Sequence, residues 1–109
     1  MDTRTIERVR ENPLATADRV GYTLERVIVF GSRVRDDYRA ESNVDVLIVS
    51  PDFQGTKSYK RPKLFFRHWD YDELPDPEFI CLTPAEFEER KQLQPHIVRT
   101  AADEGISIA

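Results

Sequence analysis

Two acidic side chains and one amide stand where they could hold a metal ion. Asn43 and Asp45 lie two apart at the start of an apolar run, residues 44–50, and Glu78 opens another, residues 78–83. Side chains two apart on a strand share a face, so Asn43 and Asp45 project together, and Glu78 joins them if the strands pair. Mg²⁺ prefers such oxygen ligands together with substrate phosphates. The pattern predicts a site for phosphoryl chemistry.

A Gly-Ser pair could supply the phosphate-binding half of the same site. Gly31 and Ser32 end the first apolar run, residues 24–31. Glycine lets the backbone approach a ligand closely, and exposed N–H groups with a hydroxyl bind phosphate oxygens. The alternative is an ordinary turn after a strand.

Simpler explanations also exist for the two carboxylates. A charge within an apolar strand is costly unless it is paired or metal-bound. Asp45 could therefore pair with Arg33 or Arg35 instead of a cation, and Glu78 could be an exposed residue at a strand end. Only the combination of these features at this spacing favours the metal site.

The elements that must position these residues alternate between helix and strand. The predicted order is α, β, β, α, β, α, α, β. Because only 12 residues separate the first two strands, a full crossover helix does not fit, which favours an antiparallel or mixed sheet. The predicted fold class is α/β (α+β), a small mixed sheet with helices packed on one face. The predicted elements are a helix stopped by Pro13, strands at residues 24–31, 44–50 and 78–83, helices at 61–69, 84–93 and 96–104, and a short edge strand at 106–108.

Local signals define two of the helices. Thr83, Pro84 and Glu86 form a helix start, with Thr83 as N-cap, Pro84 in the first turn and Glu86 three residues after the cap. The preceding helix is expected to bury an apolar stripe of Leu64, Phe65, Phe66 and Trp69.

Composition limits the classes of function. The chain has 109 residues, enough for one domain at residues 1–109, and no apolar run approaches the length of a membrane span. The N-terminus lacks a secretory h-region, which predicts a cytoplasmic protein. A net charge of −4 argues against bulk nucleic-acid binding, so any phosphate site must be local. The single cysteine, Cys81, is expected to be a small buried hydrophobic residue.

Three other features allow two interpretations each. Residues 57–67 hold five cations, which form either a binding patch or a solvated helix face balanced by Asp70, Asp72 and Glu73. Trp69 and Tyr71 could stack on a base, and the alternative for Trp69 is packing in the core. His68 and His96 lack the paired spacing of a zinc site, so each is expected to be a surface or packed residue, with a catalytic role as the alternative.

The pattern resembles the minimal nucleotidyltransferase family of the polymerase-β-like superfamily. That family carries G-S-x-A-x-G, a short spacer and S-D-x-D-L, which appear here as residues 31–36 and 42–46. The family's third carboxylate precedes an apolar strand and a TPEEF-like helix start, here Glu78 before FICLTPAEF. The resemblance covers nearly the whole chain and implies a palm-like mixed sheet.

The resemblance also implies roles for particular residues. Gly31, Ser32, Arg33 and Ser42 would form the nucleotide-binding and phosphate-binding side, and Asn43, Asp45 and Glu78 would be the catalytic residues, holding two Mg²⁺ ions. The implied reaction transfers a nucleoside monophosphate from a nucleoside triphosphate, with ATP expected, to an acceptor hydroxyl. Members often work beside a helical HEPN-type partner as the antitoxin half of a toxin-antitoxin pair; a homodimer is also open.

The chain departs from the family pattern at two positions. Asp36 replaces the second glycine, and Asn43 replaces the first aspartate of the metal-binding pair. An amide is neutral and is a poor bridge between two metals. Two hypotheses therefore remain: a Mg²⁺-dependent nucleotidyltransferase, or a catalytically impaired relative that acts as a protein-binding module of the antitoxin type.

Overall fold

The computed structural model describes residues 3–30, 43–91 and 106–107, the last two by their backbone. In this part of the chain there are three α-helices and a sheet of four strands in the order β3-β2-β1-β4. Their bounds are α1 Thr3–Val20, β1 Arg26–Phe30, β2 Val44–Val49, α2 Lys63–Arg67, β3 Pro77–Leu82, α3 Pro84–Arg90 and β4 Ile106–Ser107. Within these residues no helix is long and apolar enough to span a membrane.

The sheet is mixed, as the sequence predicts. β1 runs antiparallel to β2 and to β4, whereas β2 and β3 are parallel. The short edge strand expected near the C-terminus is confirmed as β4. The parallel pair is reached through residues 50–76, which hold two 3-10 turns and α2.

The helix α1 is longer than the sequence predicts. It runs to Val20 with Pro13 inside it, so the predicted stop at Pro13 is wrong. Proline removes one helical hydrogen bond. The cost is offset by burial, because Val9, Pro13 and Ala17 lie at helical spacing on one buried face of the helix.

Alternation along the strands divides the core between the two faces of the sheet. On one face, Val9 of α1 and Phe65 of α2 belong to a cluster with strand valines such as Val46. On the other face, Phe87 of α3 packs among Leu47, Leu82 and neighbouring side chains. The predicted α/β (α+β) class is therefore confirmed. The expectation that the helices pack on one face holds for α1 and α2 but is wrong for α3, whose Phe87 is buried against the opposite face.

The two predicted helix signals have different outcomes. The Thr83 hydroxyl accepts from the Glu86 N–H at 3.2 Å, and the Glu86 carboxylate accepts from the Thr83 N–H at 2.8 Å, which confirms the capping box. α2 is shorter than predicted and its stripe is incomplete: Phe65 is buried, but Phe66 is 38% exposed. The predicted helix at residues 96–104 lies outside the described residues.

Candidate active site

The three predicted metal-ligating residues lie together at one end of the sheet. The parallel register places Asp45 directly beside Glu78, and the antiparallel register places Phe30, the last residue of β1, on the other side of Asp45. Asp45 and Glu78 follow the alternation of Leu47, Ile80 and Leu82, so their side chains share one face. The strand order therefore places the two carboxylates side by side, as the sequence predicts.

Asn43 completes this group through a hydrogen bond. Its Nδ2 donates to Glu78 Oε1 at 3.3 Å. Asn43 and Glu78 are exposed, whereas Asp45 is partly buried. The amide thus contacts one carboxylate directly and lies at the mouth of the site.

Burial and the neighbouring Glu78 perturb the carboxyl group of Asp45. Burial raises the pKa of Asp45 from 3.8 to about 6, and the adjacent Glu78 adds to the rise through a hydrogen bond and through charge repulsion. A pair of like charges this close is stabilised by a shared proton or by a bound cation.

The donor set fits one divalent cation better than two. Two carboxylates and one amide oxygen carry a charge of about −2, which one Mg²⁺ neutralises, and an amide bridges two ions poorly. Within the described ranges there is no group of three or more His, Cys, Asp or Glu side chains that could hold a metal. Any ion here relies on Asp45, Glu78 and the amide of Asn43.

Comparisons with known proteins identify the fold and its class. The model of the nucleotidyltransferase domain family matches residues 14–108. The chain belongs to this family. It is also similar to the crystal structure of a proposed nucleotidyltransferase from Sulfolobus solfataricus, with a TM-score of 0.58 and 26% identity over 79% of this chain and 73% of the other. No curated protein matches the chain.

Four predicted nucleotide-binding residues lie outside the described part of this nucleotidyltransferase domain. They are Gly31, Ser32, Arg33 and Ser42. Arg35, the other proposed partner of Asp45, and Asp36 lie there too. The described strands β1 and β2 flank this segment on both sides, because Phe30 and Val44 stand at the same end of the sheet as Asp45.

The exposed fractions of Trp69 and Cys81 test the predictions that these two side chains are buried. Trp69 is 5% exposed and its Nε1 donates to the Pro75 carbonyl at 3.0 Å, so its core role is confirmed. Tyr71 is 51% exposed and its hydroxyl donates to the Phe66 carbonyl. Cys81 is buried as expected, and burial raises the pKa of its thiol to about 12.

The basic segment divides into two kinds of residue. Lys57, Lys60 and Lys63 are exposed, but Arg61 is 8% exposed. Asp70 and Glu73 were expected to balance the charge of this segment. Their carboxylates instead lie 3.9 and 3.6 Å from the guanidinium of Arg8 in α1.

Arg61 is a structural residue that the sequence interpretation missed. Its guanidinium donates to the carbonyls of Thr56 and Cys81 at 2.8 and 3.1 Å and to Glu86 Oε1 at 2.6 Å. It therefore fastens the segment before α2 to both β3 and α3. The sequence interpretation missed this role because Arg61 lies within a run of cations. Only the proline after it and the aromatic residues around it indicated that the side chain is buried.

Proposed function

We propose that this chain transfers a nucleoside monophosphate from a nucleoside triphosphate, with ATP expected, to an acceptor hydroxyl. The hydroxyl oxygen bonds to the α-phosphorus as the bond to the departing pyrophosphate breaks, and the hydroxyl proton passes to a carboxylate. Membership of the nucleotidyltransferase domain family supports the class of reaction. The observation that carries the proposal is the side-by-side placement of Asp45 and Glu78 on neighbouring parallel strands.

The different exposures of Glu78 and Asp45 favour different roles for the two carboxylates. Glu78 is exposed at the mouth of the site, where it can accept the proton of an incoming hydroxyl. Asp45 is partly buried and is held by β2 between Phe30 and Glu78, so it has a fixed position from which to bind a cation. Asn43 orients the Glu78 carboxylate through its hydrogen bond.

A Mg²⁺ ion is the cofactor that these donors would hold. Asp45 and Glu78 would be its anionic ligands, and Asn43 would add its carbonyl oxygen after its amide group flips. Such an ion neutralises charge on the phosphates and orients them for displacement. The raised pKa of Asp45, caused first by burial and then by the adjacent Glu78, supports this assignment, because a bound cation would stabilise the ionised carboxylate.

A second candidate function follows from Asn43. Where the family pattern has an aspartate, this chain has a neutral amide that already occupies an oxygen of Glu78. This contact favours a relative with weak catalysis that serves as a protein-binding module, with a HEPN-type helical protein as the expected partner. The same partner could present the acceptor hydroxyl if the chain is active.

The test is calorimetric titration of ATP with Mg²⁺ into the unmodified chain, Asp45→Ala and Asn43→Asp. The proposal predicts metal-dependent binding to the unmodified chain that Asp45→Ala abolishes. Binding by Asn43→Asp alone would favour the protein-binding module. Binding by none of the three would overturn the site assignment.

For the transfer itself, α-³²P-labelled ATP is incubated with the chain and candidate acceptors, including a co-expressed helical partner. The proposal predicts label on an acceptor with the unmodified chain and none with Asp45→Ala. Equal labelling of the acceptor by the unmodified chain and by Asp45→Ala would contradict a catalytic role for Asp45.

A further inference from the structure

Positive charge is concentrated in one segment of an otherwise acidic chain. No Asp or Glu occurs between Asp52 and Asp70, and the same segment holds five Lys or Arg residues, although the net charge of the chain is −4. Arg61 is used inside the fold, where it bonds to Glu86. The other four cations are exposed: Lys57, Lys60, Lys63 and Arg67. In the described ranges none of these four forms an ion pair, so their charge is available to an anionic partner.

Exposed aromatic rings lie among these cations. Tyr59 is 63% exposed and Phe66 is 38% exposed, and with Tyr71 they are three of the four exposed large apolar side chains in the described part of the chain. The Nζ of Lys60 lies 6.0 Å from the centre of the Tyr59 ring. The grouping of exposed rings at one place is typical of an interaction surface.

The cations and rings form one continuous surface. Tyr59 lines the same groove as Phe79, and the Phe66 ring lies 4.9 Å from that of Phe79. On α2, Lys63 lies beside Phe66 and Arg67, which are three and four residues further along the helix. We call this surface the basic aromatic patch; it consists of Lys57, Tyr59, Lys60, Lys63, Phe66 and Arg67.

The fold holds the backbone of the patch at both ends. Before α2, Arg61 donates to the carbonyls of Thr56 and Cys81. After α2, the Asn12 side chain of α1 donates to the His68 carbonyl. Because the backbone that carries the patch is fixed in this way, it loses little conformational entropy when a partner binds.

The chemistry of the patch fits a single strand of nucleic acid better than an acidic protein. Lysine and arginine attract the phosphates of any nucleic acid, but only a single strand exposes the faces of its bases to aromatic rings. An acidic peptide would use the cations and leave the rings without a role. The net charge of −4 repels a long duplex, so attraction is confined to a few phosphates. Single-stranded segments with unstacked bases are characteristic of RNA.

We propose that the basic aromatic patch binds a short single-stranded segment of RNA, with phosphates beside its four cations and bases stacked on Tyr59 and Phe66. The patch is separate from the candidate active site. α2 packs on the face of the sheet that holds Val46, whereas Asp45 and Glu78 lie on the opposite face. RNA binding at this surface therefore does not depend on the proposed reaction.

The first test is fluorescence anisotropy of a labelled oligo(U) of about 12 nucleotides, titrated with the full chain without metal or nucleoside triphosphate. A Kd on the order of 10 µM is expected at about 50 mM salt. The logarithm of the association constant should fall against that of the salt concentration with a slope of about −2 to −3, since each neutralised phosphate contributes about −0.7. No binding up to about 0.5 mM protein would overturn the proposal.

Charge variants locate the surface that binds. Lys60→Gln with Lys63→Gln is expected to weaken binding about tenfold and to make the salt slope shallower by about 1.4, because two phosphate contacts are lost. Arg10→Gln with Arg26→Gln is the matched control, since both arginines are exposed outside the patch, one on α1 and the other over the Phe87 ring. An equal loss in the control pair would show that overall charge alone attracts the RNA, against the proposal.

Ring variants separate stacking from other contacts. Tyr59 is exposed, so replacing it is expected to leave the fold unchanged. Tyr59→Phe keeps a ring and should bind like the unmodified chain, whereas Tyr59→Leu keeps an apolar side chain without a ring and should bind about tenfold more weakly. Equal affinities of these two variants would contradict stacking and overturn the proposal.

Two competitors test the class of partner. Duplex RNA of the same length and a polyglutamate peptide should each compete at least about tenfold more weakly than unlabelled oligo(U), because neither presents base faces. Equal competition by the peptide would assign the patch to an acidic protein, and equal competition by the duplex would leave the rings without a role. Either result overturns the proposal.

Ultraviolet crosslinking in cells that produce the full chain distinguishes RNA from DNA. The proposal predicts an adduct that ribonuclease removes and that is reduced in the variant with Lys60→Gln and Lys63→Gln. An adduct that only deoxyribonuclease removes would overturn the choice of RNA. Because the binding tests contain no nucleoside triphosphate or metal, their failure leaves the proposed reaction untouched.

Discussion

At the scale of single residues, Asp45 is the side chain on which the account depends. Its pKa is raised to about 6, so at pH 7 the carboxylate is ionised at a cost to the folded state. A group that is ionised at a cost to the folded state is typical of a functional site. This loss of stability and the proposed cation binding both follow from the partly buried position of Asp45 beside Glu78.

Replacing Asp45 by asparagine is expected to stabilise the chain when no divalent cation is present. The neutral amide removes the cost of burying a charge and the repulsion with Glu78, and we expect a gain of about 1 kcal/mol at pH 7 after allowance for solvent screening. Thermal melts in EDTA measure it, with Asp72→Asn as an exposed control. A loss of stability in Asp45→Asn would contradict the account.

Asn43→Asp is expected to have opposite effects with and without Mg²⁺. A third carboxylate beside Asp45 and Glu78 should lower the melting temperature in EDTA, since like charges repel. In Mg²⁺ the same variant should melt above the unmodified chain, because ligand binding stabilises the folded state by mass action. Thermal melts in both conditions check this, and a variant that is insensitive to Mg²⁺ would contradict it.

At the scale of elements, Arg61 holds β3 to the segment before α2 and to α3. Arg61→Leu leaves the Cys81 and Thr56 carbonyls and the Glu86 carboxylate without this partner. We expect a loss of about 3 kcal/mol in the free energy of unfolding, measured by urea denaturation. Lys60→Leu, the neighbouring exposed cation, is the control and should cost much less.

The same ion pair has a pH signature. Arg61 lowers the pKa of Glu86 below its ordinary value of 4.5, with further help from the Thr83 N–H. The stability from Glu86 is therefore fully present above pH 4.5 and is lost as the pH falls through the lowered value. Urea denaturation between about pH 3 and 6 should show a weaker acid dependence in Arg61→Leu. An unchanged acid limb would contradict this assignment.

A second contact between elements joins α1 to the turn after α2. Asn12 Nδ2 donates to the His68 carbonyl and Asn12 Oδ1 accepts from the Asp70 N–H, both at 3.1 Å. Asn12→Ala is expected to cost about 1–2 kcal/mol of unfolding free energy. Asn12→Asp keeps the acceptor but sets an oxygen against the His68 carbonyl, so it should not recover the loss.

Much at this scale could be predicted from sequence, for identifiable reasons. The three strands and the helix start at Thr83 are encoded locally by apolar runs and by capping residues. The meeting of Asp45 with Glu78 followed once those strands were assumed to pair. The end of α1 could not be predicted, because burial of the face around Pro13 overrides the residue's local preference. The buried position of Arg61 depends on contacts 20 and 25 residues away, which no local pattern reports.

At the scale of the whole molecule, the order of the strands places the candidate active site at one end of the sheet. Asp45 of β2 and Glu78 of β3 meet there, although α2 lies between them in the chain. The predicted single domain at residues 1–109 and the HEPN-type partner stay predictions.

The measurement that tests the central claim most directly is a Mn²⁺ titration followed by electron paramagnetic resonance, with Mn²⁺ standing in for Mg²⁺. The account predicts one bound ion per chain, lost in Asp45→Asn and in Glu78→Gln, and retained in Asp72→Asn. It also predicts that Asn43→Asp binds more tightly and takes a second ion, because the third carboxylate supplies the missing charge. An unmodified chain that binds no Mn²⁺, or that binds it equally well without the Asp45 carboxylate, would contradict the assignment of this site.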